Sequence, residues 1–221
     1  IWQQEIKKTF AMIAKGQALV AAFQGTIDKR GDHQKFVNDH VIGIGMLVEA
    51  GAKIIEINLS CPNEGHTDLL CFDLATTKEI VQKIRILYPA LKLIVKIAYI
   101  HDDIYLRKFV KEIGCLVDGI AAINTISRKI VNEFNQQAFP GLPSRLQAGV
   151  SGAAIKPLAI DIVKRLKKHR EEFDYDFKII GVGGVMNAKD FQDHRQAGAD
   201  FVMGLTGVMW NPNLAYEIKT L

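Results

Sequence analysis

The residues best suited to chemistry lie in the run EINLSCPNEG, at residues 56–65. Pro62 restricts Cys61 to an extended or turn geometry, so a thiol is held at the end of an apolar run, between side-chain amides. A thiolate can act as a base or as a nucleophile. The alternative is a turn in which asparagine and serine side chains bond their own backbone. The polar side chains concerned are Asn58, Ser60, Cys61 and Asn63.

Polar groups also interrupt or end the next two apolar runs. Lys96 lies inside LIVKIA, and an unpaired buried ammonium costs several kcal/mol, so this lysine must be paired or face a polar ligand. An inward lysine suits an anionic ligand or an electron-rich cofactor; the alternative is an exposed edge strand. Asn124 and Thr125 end the following run with an amide and a hydroxyl. Alone they are weak evidence, because such residues begin many loops.

Two glycine-rich turns in the last third of the chain indicate a phosphate site. Each ends an apolar run, in IIGVGGV and VMGLTGV, and the first comes just before a predicted helix. Adjacent glycine turns let backbone N–H groups converge on a phosphate beside helix N-termini. In barrels, the loops after strands seven and eight are the customary phosphate site. The turns contain Gly181, Gly183 and Gly184, then Gly204, Thr206 and Gly207.

These residues must be positioned by short apolar runs that alternate with segments of helical period. The alternation is typical of βα units around a parallel sheet that is buried on both faces. Both an open doubly wound sheet and a (β/α)8 barrel give this order, and a barrel takes about 250 residues. If the fold is a barrel, the six units in this chain therefore predict a TIM barrel that lacks its first βα units. We predict strands at 18–23, 53–58, 92–97, 118–123, 178–181 and 201–204, helices at 3–14, 34–49, 76–87, 102–113, 156–169 and 188–197, and a further helix after Pro212.

Two local features accompany this rhythm. Residues 127–147 show no periodicity and contain two prolines, which predicts a long loop or lid. At three helix-to-strand junctions, EAGA, EIGC and QAGA, a glycine stands where a left-handed helix cap favours it. These glycines are Gly51, Gly114 and Gly198.

The composition excludes several classes of protein. The chain has 221 residues, of which 48% are hydrophobic and 24% charged, with a net charge of +4. This is an ordinary globular composition, without the basic arm of a nucleic-acid binder or the apolar stretch of a membrane span, and we treat residues 1–221 as one domain. Three cysteines at no metal-ligand spacing argue against disulfides or a metal and favour a reducing, cytoplasmic compartment. Cys71 and Cys115 suit the role of small buried hydrophobes.

Six runs, in this order, resemble the dihydroorotate dehydrogenases, specifically the cysteine-type class 1. The resemblance covers nearly the whole chain, and six ordered matches are far more specific than any one of them. The runs are EINLSCPN (56–63), VKIA (95–98), INTI (123–126), AGVSGAAIKPLA (148–159), IIGVGG (179–184) and QAGADFVMG (196–204).

The resemblance implies an FMN-binding (β/α)8 barrel that oxidises (S)-dihydroorotate to orotate in pyrimidine (UMP) biosynthesis. Cys61 would be the general base. The substrate would be held by Asn58, Asn63, Asn124 and Thr125, and FMN by Asn58, Lys96, Ile123, Gly152, Gly183, Gly184, Gly204 and Thr206. We also expect a homodimer, with an iron–sulfur electron-transfer subunit if the enzyme is NAD-linked; fumarate is the other possible oxidant.

The chain departs from the family pattern in two places. Leu205 stands where the second phosphate loop of the family has glycine, so only its backbone could contact a phosphate. The first part of the family barrel, with a lysine and an asparagine that contact flavin and substrate, has no counterpart; from two missing βα units at the barrel's average size, we expect about 70 further residues upstream of Ile1. This leaves two alternatives open: an inactive relative that binds FMN or phosphate, and a different phosphate-binding barrel enzyme such as an isomerase or aldolase.

Overall fold

The chain folds around a curled parallel sheet whose six strands are neighbours in chain order. The computed structural model describes residues 2–26, 32–60, 69–139 and 147–220. The strands are β1 (Ala21–Phe23), β2 (Ile54–Asn58), β3 (Lys92–Ile97), β4 (Gly119–Ala122), β5 (Ile126–Lys129), β6 (Gln147–Val150), β7 (Lys178–Val182) and β8 (Phe201–Met203). The central sheet has the order β1-β2-β3-β4-β7-β8, and every neighbouring pair is parallel. A doubly wound sheet would reverse its order at a switch point; this sheet does not, which confirms the predicted partial barrel.

The helices form a layer on the outer face of this sheet. They are α1 (Trp2–Met12), α2 (His33–Glu49), α3 (Leu74–Leu87), α4 (Asp103–Ile113), α5 (Lys156–Glu172), α6 (Ala188–Ala197), α7 (Thr206–Trp210) and α8 (Leu214–Lys219). From α2 to α6, each helix packs against the next, as in the outer ring of a barrel. All the predicted helices and central strands are present within a few residues of their expected bounds; α7 was not predicted. In the described parts of the chain, no helix combines the length and apolar character needed to span a bilayer.

Alternation along the strands sorts side chains into two layers. Outward residues such as Ile57, Val95 and Ile120 are fully buried beneath the helices. Inward residues form a second, smaller apolar cluster of Ile94, Ala121 and Ile180. Towards the carboxyl ends, the inward positions become polar, because successive side chains on one face are two residues apart. The sheet therefore directs its polar inward residues to one end.

The segment 127–147, predicted as a long loop, contains regular structure at both ends. Strands β5 and β6 form an antiparallel pair separate from the central sheet, and Val131 bridges to Gln137; residues 140–146 lie outside the described residues. The prediction failed because these strands are four residues long and mostly exposed, so they lack a hydrophobic alternation.

Two of the three predicted glycine caps are confirmed. Gly51 and Gly198 have φ values of 103° and 113°, in the left-handed region. Gly114 does not, because its φ of −57° continues into a 3-10 turn. Here the requirement is space: a Cβ on Gly114 would lie 2.7 Å from the ring of Tyr175.

Candidate functional site

A cavity of about 300 Å³ opens at the carboxyl ends of the central strands. It is lined by residues from β2, β3, β7 and β8, from the loops that follow β4, β6, β7 and β8, and from the start of α7. The structure thus brings together most of the site residues predicted from the sequence. Those lining the cavity are Lys96, Ile123, Asn124, Thr125, Gly152, Gly183, Gly184, Gly204 and Thr206.

An ion pair forms part of the cavity wall. Lys96 Nζ donates a hydrogen bond to Glu56 Oε1 at 2.6 Å, and the two side chains are 20% and 6% exposed. Lys96 lies on β3, an interior strand, so the alternative of an exposed edge position is wrong. Glu56 was not predicted as a site residue. Its signal was present, because Glu56 is an acid in an apolar run, two residues from Asn58 and therefore on the same sheet face.

A cluster of amides lies beside this pair. Asn124 Nδ2 donates to the backbone oxygen of Ser60 at 2.8 Å and lies 3.2 Å from Asn58 Oδ1. Asn58 Nδ2 in turn donates to Gln24 Oε1 at 3.2 Å, a partner that the sequence did not indicate. The N–H of Thr125 donates to Asn124 Oδ1 at 2.8 Å. These bonds hold Asn58 and Asn124 together across the sheet, although Asn58 itself does not line the cavity.

The chain then enters residues 61–68, which lie outside the described residues. Cys61, the predicted base, and Asn63, a predicted substrate ligand, fall in this segment, so both remain predictions. The described neighbour Ser60 is buried, and its backbone oxygen binds Asn124. The structure therefore describes the residue that directly precedes the predicted base.

Two glycines of the cavity lining have positive φ values and lie close to neighbouring residues. Gly184 has a φ of 74°, and a Cβ there would lie 2.3 Å from the Cβ of Lys156. Gly152 has a φ of 75°, and a Cβ there would lie 3.1 Å from Thr206 Cγ2. The hydroxyl oxygens of Ser151 and Thr206 are 3.1 Å apart, which links the loop after β6 to the start of α7.

The turn after β7 offers free backbone donors. Gly184 and Val185 both line the cavity. Within the part of the chain that the structure describes, their N–H groups have no hydrogen-bond partner. Convergent backbone N–H groups in a glycine turn suit a phosphate. Leu205 also lines the cavity, but its side chain is largely exposed, so its backbone is what the site can use.

The positive charge of a lysine beneath the turn is balanced by two carboxylates. Lys156, at the start of α5, donates to Asp190 and, at 2.6 Å, to Asp193 Oδ2, both on α6. The hydrogen bond to Asp190 raises the pKa of Lys156, and the hydrogen bond from Lys156 lowers the pKa of Asp193 to about 2. Because two carboxylates compensate this ammonium, the predicted phosphate turn would offer a ligand its backbone N–H groups rather than the charge of Lys156.

The two described cysteines differ. Cys71 is buried, as predicted, and burial raises its pKa to about 11. Cys115 is exposed, so its predicted role as a buried small hydrophobe is wrong. It lies in the 3-10 turn Gly114–Leu116, where the chain bends from α4 towards β4 and leaves its side chain at the surface.

Comparison with known proteins gives one family. The family model described as "Dihydroorotate dehydrogenase" matches residues 7–220. A dihydroorotate dehydrogenase of Dictyostelium discoideum is 31% identical over 97% of this chain and 58% of that protein. The catalytic subunit of dihydroorotate dehydrogenase B (NAD(+)) from Petrotoga mobilis is 28% identical over 82% of this chain and 58% of that protein. The PreA subunit of an NAD-dependent dihydropyrimidine dehydrogenase from Escherichia coli is 31% identical over 74% of this chain and 40% of that protein. The chain therefore spans less than two thirds of the length of these relatives.

Proposed function

Because the chain belongs to the dihydroorotate dehydrogenase family, we propose that it serves the flavin-dependent oxidation of (S)-dihydroorotate to orotate in pyrimidine (UMP) biosynthesis. The observation that supports this most is the convergence of three features on one cavity: the Lys96–Glu56 pair, Asn124 (which is hydrogen-bonded to Asn58), and the glycine turn at Gly183 and Gly184. A sugar-phosphate isomerase or aldolase would share the glycine turn but gives no reason for the amides beside a buried ion pair.

The residues present fit FMN as the cofactor. The free N–H groups of Gly184 and Val185 suit its phosphate, and the positive φ values of Gly183 and Gly184 let the backbone approach closely. Gly204 and Thr206 would complete the phosphate site, while Asn58, Lys96, Ile123 and Gly152 would contact the remainder of the cofactor. Bound FMN supplies the hydride acceptor. Glu56 accepts one hydrogen bond from the Lys96 ammonium, so the remaining N–H groups of Lys96 would be available to donate to an electron-rich part of the ligand.

The amides fit the substrate. A dihydropyrimidine ring carries carbonyl and N–H groups on its edges, and an amide can both donate and accept. Because Asn124 and Asn58 are already held by hydrogen bonds, they are oriented before the substrate arrives. We assign Asn58, Asn63, Asn124 and Thr125 to substrate binding.

Cys61 would remove the proton from the substrate ring carbon. A free thiol titrates near 8.5, so its activity as a base should rise with pH across the neutral range.

A cytoplasmic location and a homodimer belong to the same proposal. The relative from Petrotoga mobilis is named as NAD-linked; for this chain, NAD through a partner subunit and fumarate are both candidate oxidants.

The test is an absorbance spectrum of the purified full-length gene product before and after anaerobic addition of dihydroorotate. We expect flavin bands that bleach on mixing, and a loss of bleaching in Cys61→Ala. The matched control is Cys115→Ala, which removes an exposed thiol far from the cavity lining. Protein that takes up no FMN, or bleaching that is unchanged in Cys61→Ala, would contradict the proposal. Flavin that stays oxidised on addition of dihydroorotate would identify a non-catalytic FMN-binding relative.

A further inference from the structure

A buried histidine lies directly behind the glycine turn that follows β7. His194, on α6, is fully buried, and its Nε2 is 2.9 Å from the carbonyl oxygen of Gly183. A carbonyl only accepts, so Nε2 carries the hydrogen and donates it. Within the described residues, the buried Nδ1 has no hydrogen-bond partner. Burial also lowers the pKa of His194, which agrees with a neutral ring.

The ring is held in place by the strand beneath it. A Cβ on Gly181 would lie 2.4 Å from His194 Nδ1, so any residue other than glycine at position 181 would displace the imidazole. This explains the first glycine of the run IIGVGG, which does not line the cavity. The donor nitrogen is therefore aimed at Gly183 by packing as well as by its hydrogen bond.

The bond to Gly183 fixes the orientation of the next N–H group. The peptide between Gly183 and Gly184 is trans, and in a planar trans peptide the C=O and N–H bonds point in opposite directions. Since His194 holds the Gly183 carbonyl towards α6, the N–H of Gly184 points away from α6. That N–H is one of the two free donors of the turn.

The same helix holds the other end of the turn. Asp190 Oδ2 accepts a hydrogen bond from the N–H of Met186 at 2.9 Å, and Lys156 compensates the charge of this buried carboxylate. Helix α6 thus forms hydrogen bonds with both ends of the segment 183–186, at the carbonyl of Gly183 and at the N–H of Met186. The residues between these two bonds, Gly184 and Val185, are the ones with free N–H groups.

We propose that His194 is the positioning residue of the phosphate turn: as a neutral Nε2–H donor, it holds the Gly183 carbonyl and so presents the Gly184 N–H to a phosphate monoester. The inference rests on the proposed function for the identity of that ligand, FMN. It adds a residue that never touches the ligand but determines whether the turn is preorganised to bind it.

The test compares FMN with riboflavin, which lacks the phosphate, in two amide variants. The amide nitrogen of glutamine reaches about as far along the side chain as Nε2, whereas that of asparagine reaches only as far as Nδ1. His194→Gln should therefore keep the preference for FMN over riboflavin, and His194→Asn should reduce it about tenfold, the cost of one misaligned hydrogen bond to a charged group. Riboflavin affinity should be equal in both. Fluorescence-quenching titrations of the full-length apoprotein measure the dissociation constants of FMN and riboflavin for the wild type and both variants.

The matched control is His169→Asn, because His169 is equally buried but lies on α5, bonded to Asp103. We expect no change in the FMN-to-riboflavin ratio there. Equal ratios in His194→Asn and wild type would overturn the positioning role while leaving the proposed function intact. A parallel loss of both ligands in His194→Asn would show a general structural role instead. Failure of the wild-type protein to prefer FMN would refute the proposed function and, with it, this inference.

Discussion

The pairing of Lys96 with Glu56 makes the two side chains interdependent. Both lie on inward positions of interior strands, and the carboxylate is 6% exposed. Two buried charges in contact compensate each other, whereas removal of one leaves the other uncompensated at a cost of several kcal/mol. The pair should therefore be a sensitive point for stability as well as for ligand binding.

We predict that Glu56→Gln destabilises the protein by about 2–3 kcal/mol, because Lys96 then keeps its charge without its partner. The double variant Glu56→Leu with Lys96→Met should recover most of this loss, since apolar replacements need no compensation. Urea unfolding at pH 7 measures both. Glu5→Gln is the exposed control, because the Glu5–Lys8 pair on α1 lies in solvent and should contribute less than about 0.5 kcal/mol. Equal effects of Glu56→Gln and Glu5→Gln would contradict the prediction.

The two described thiols should react very differently. Burial raises the pKa of Cys71 to about 11, so at pH 8 only about 0.1% of it would be thiolate even if a reagent could reach it. Cys115 is exposed. We predict that iodoacetamide at pH 8 labels Cys115 in the native protein and leaves Cys71 unmodified until urea is added, as peptide mass spectrometry would show. Comparable labelling rates for the two in the native protein would show that Cys71 is not buried as described.

Single-residue chemistry could be predicted from the sequence only in part. Lys96 was identified because a lysine in an apolar run needs an explanation, but its partner depends on a two-residue offset between β2 and β3. His194 gave no comparable signal, since a histidine in an amphipathic helix is ordinary and its contact with Gly183 arises only when α6 packs on β7. Residue types and spacing thus indicated the groups facing the cavity better than those behind it.

At the scale of elements, a strand could be predicted from the sequence only where its hydrophobic pattern was strong. The central strands are apolar runs buried on both faces, and their inward polar residues could be assigned to one end of the sheet. Strands β5 and β6 were missed because they are short and exposed. Their position nevertheless matters, because β6 packs directly against a residue of the cavity: a Cβ on Gly149 would lie 2.4 Å from Thr125 Oγ1.

We predict that Gly149→Ala displaces the Thr125 hydroxyl and raises the KM for dihydroorotate about tenfold, the effect of one lost hydrogen bond. FMN affinity should not change, because the turn at Gly183 and Gly184 belongs to other elements. Steady-state kinetics and flavin titration measure the two quantities. Ala148→Ser, one residue away on the opposite face of β6, is the control and should change neither. A loss of FMN affinity in Gly149→Ala would place the effect outside Thr125.

At the scale of the whole molecule, the cavity joins distant parts of the chain. Its lining extends from Glu56 on β2 to Gly207 on α7, and the central sheet connects these elements through continuous parallel pairing. The order of strands and helices along the chain fitted both a barrel and a doubly wound sheet, and the family resemblance favoured the barrel. The sequence could not show how closely the loops after β4, β6, β7 and β8 approach one another. That approach depends on glycine positions such as Gly152, which lies against the side chain of Thr206, and Gly184, which lies against the backbone of Lys156.

A ligand that contacts so many elements should stabilise them together. We predict one cooperative unfolding transition for the full-length apoprotein, as expected of a single domain, and a gain of about 2.7 kcal/mol when free FMN is about 100 times its Kd. Gly184→Ala should unfold in the same single transition without the FMN gain, because its Cβ would clash with Lys156 across the turn. Urea unfolding followed by circular dichroism, with and without FMN, measures both. Two separate transitions, or a gain confined to one of them, would show that the elements around the cavity do not fold as one unit.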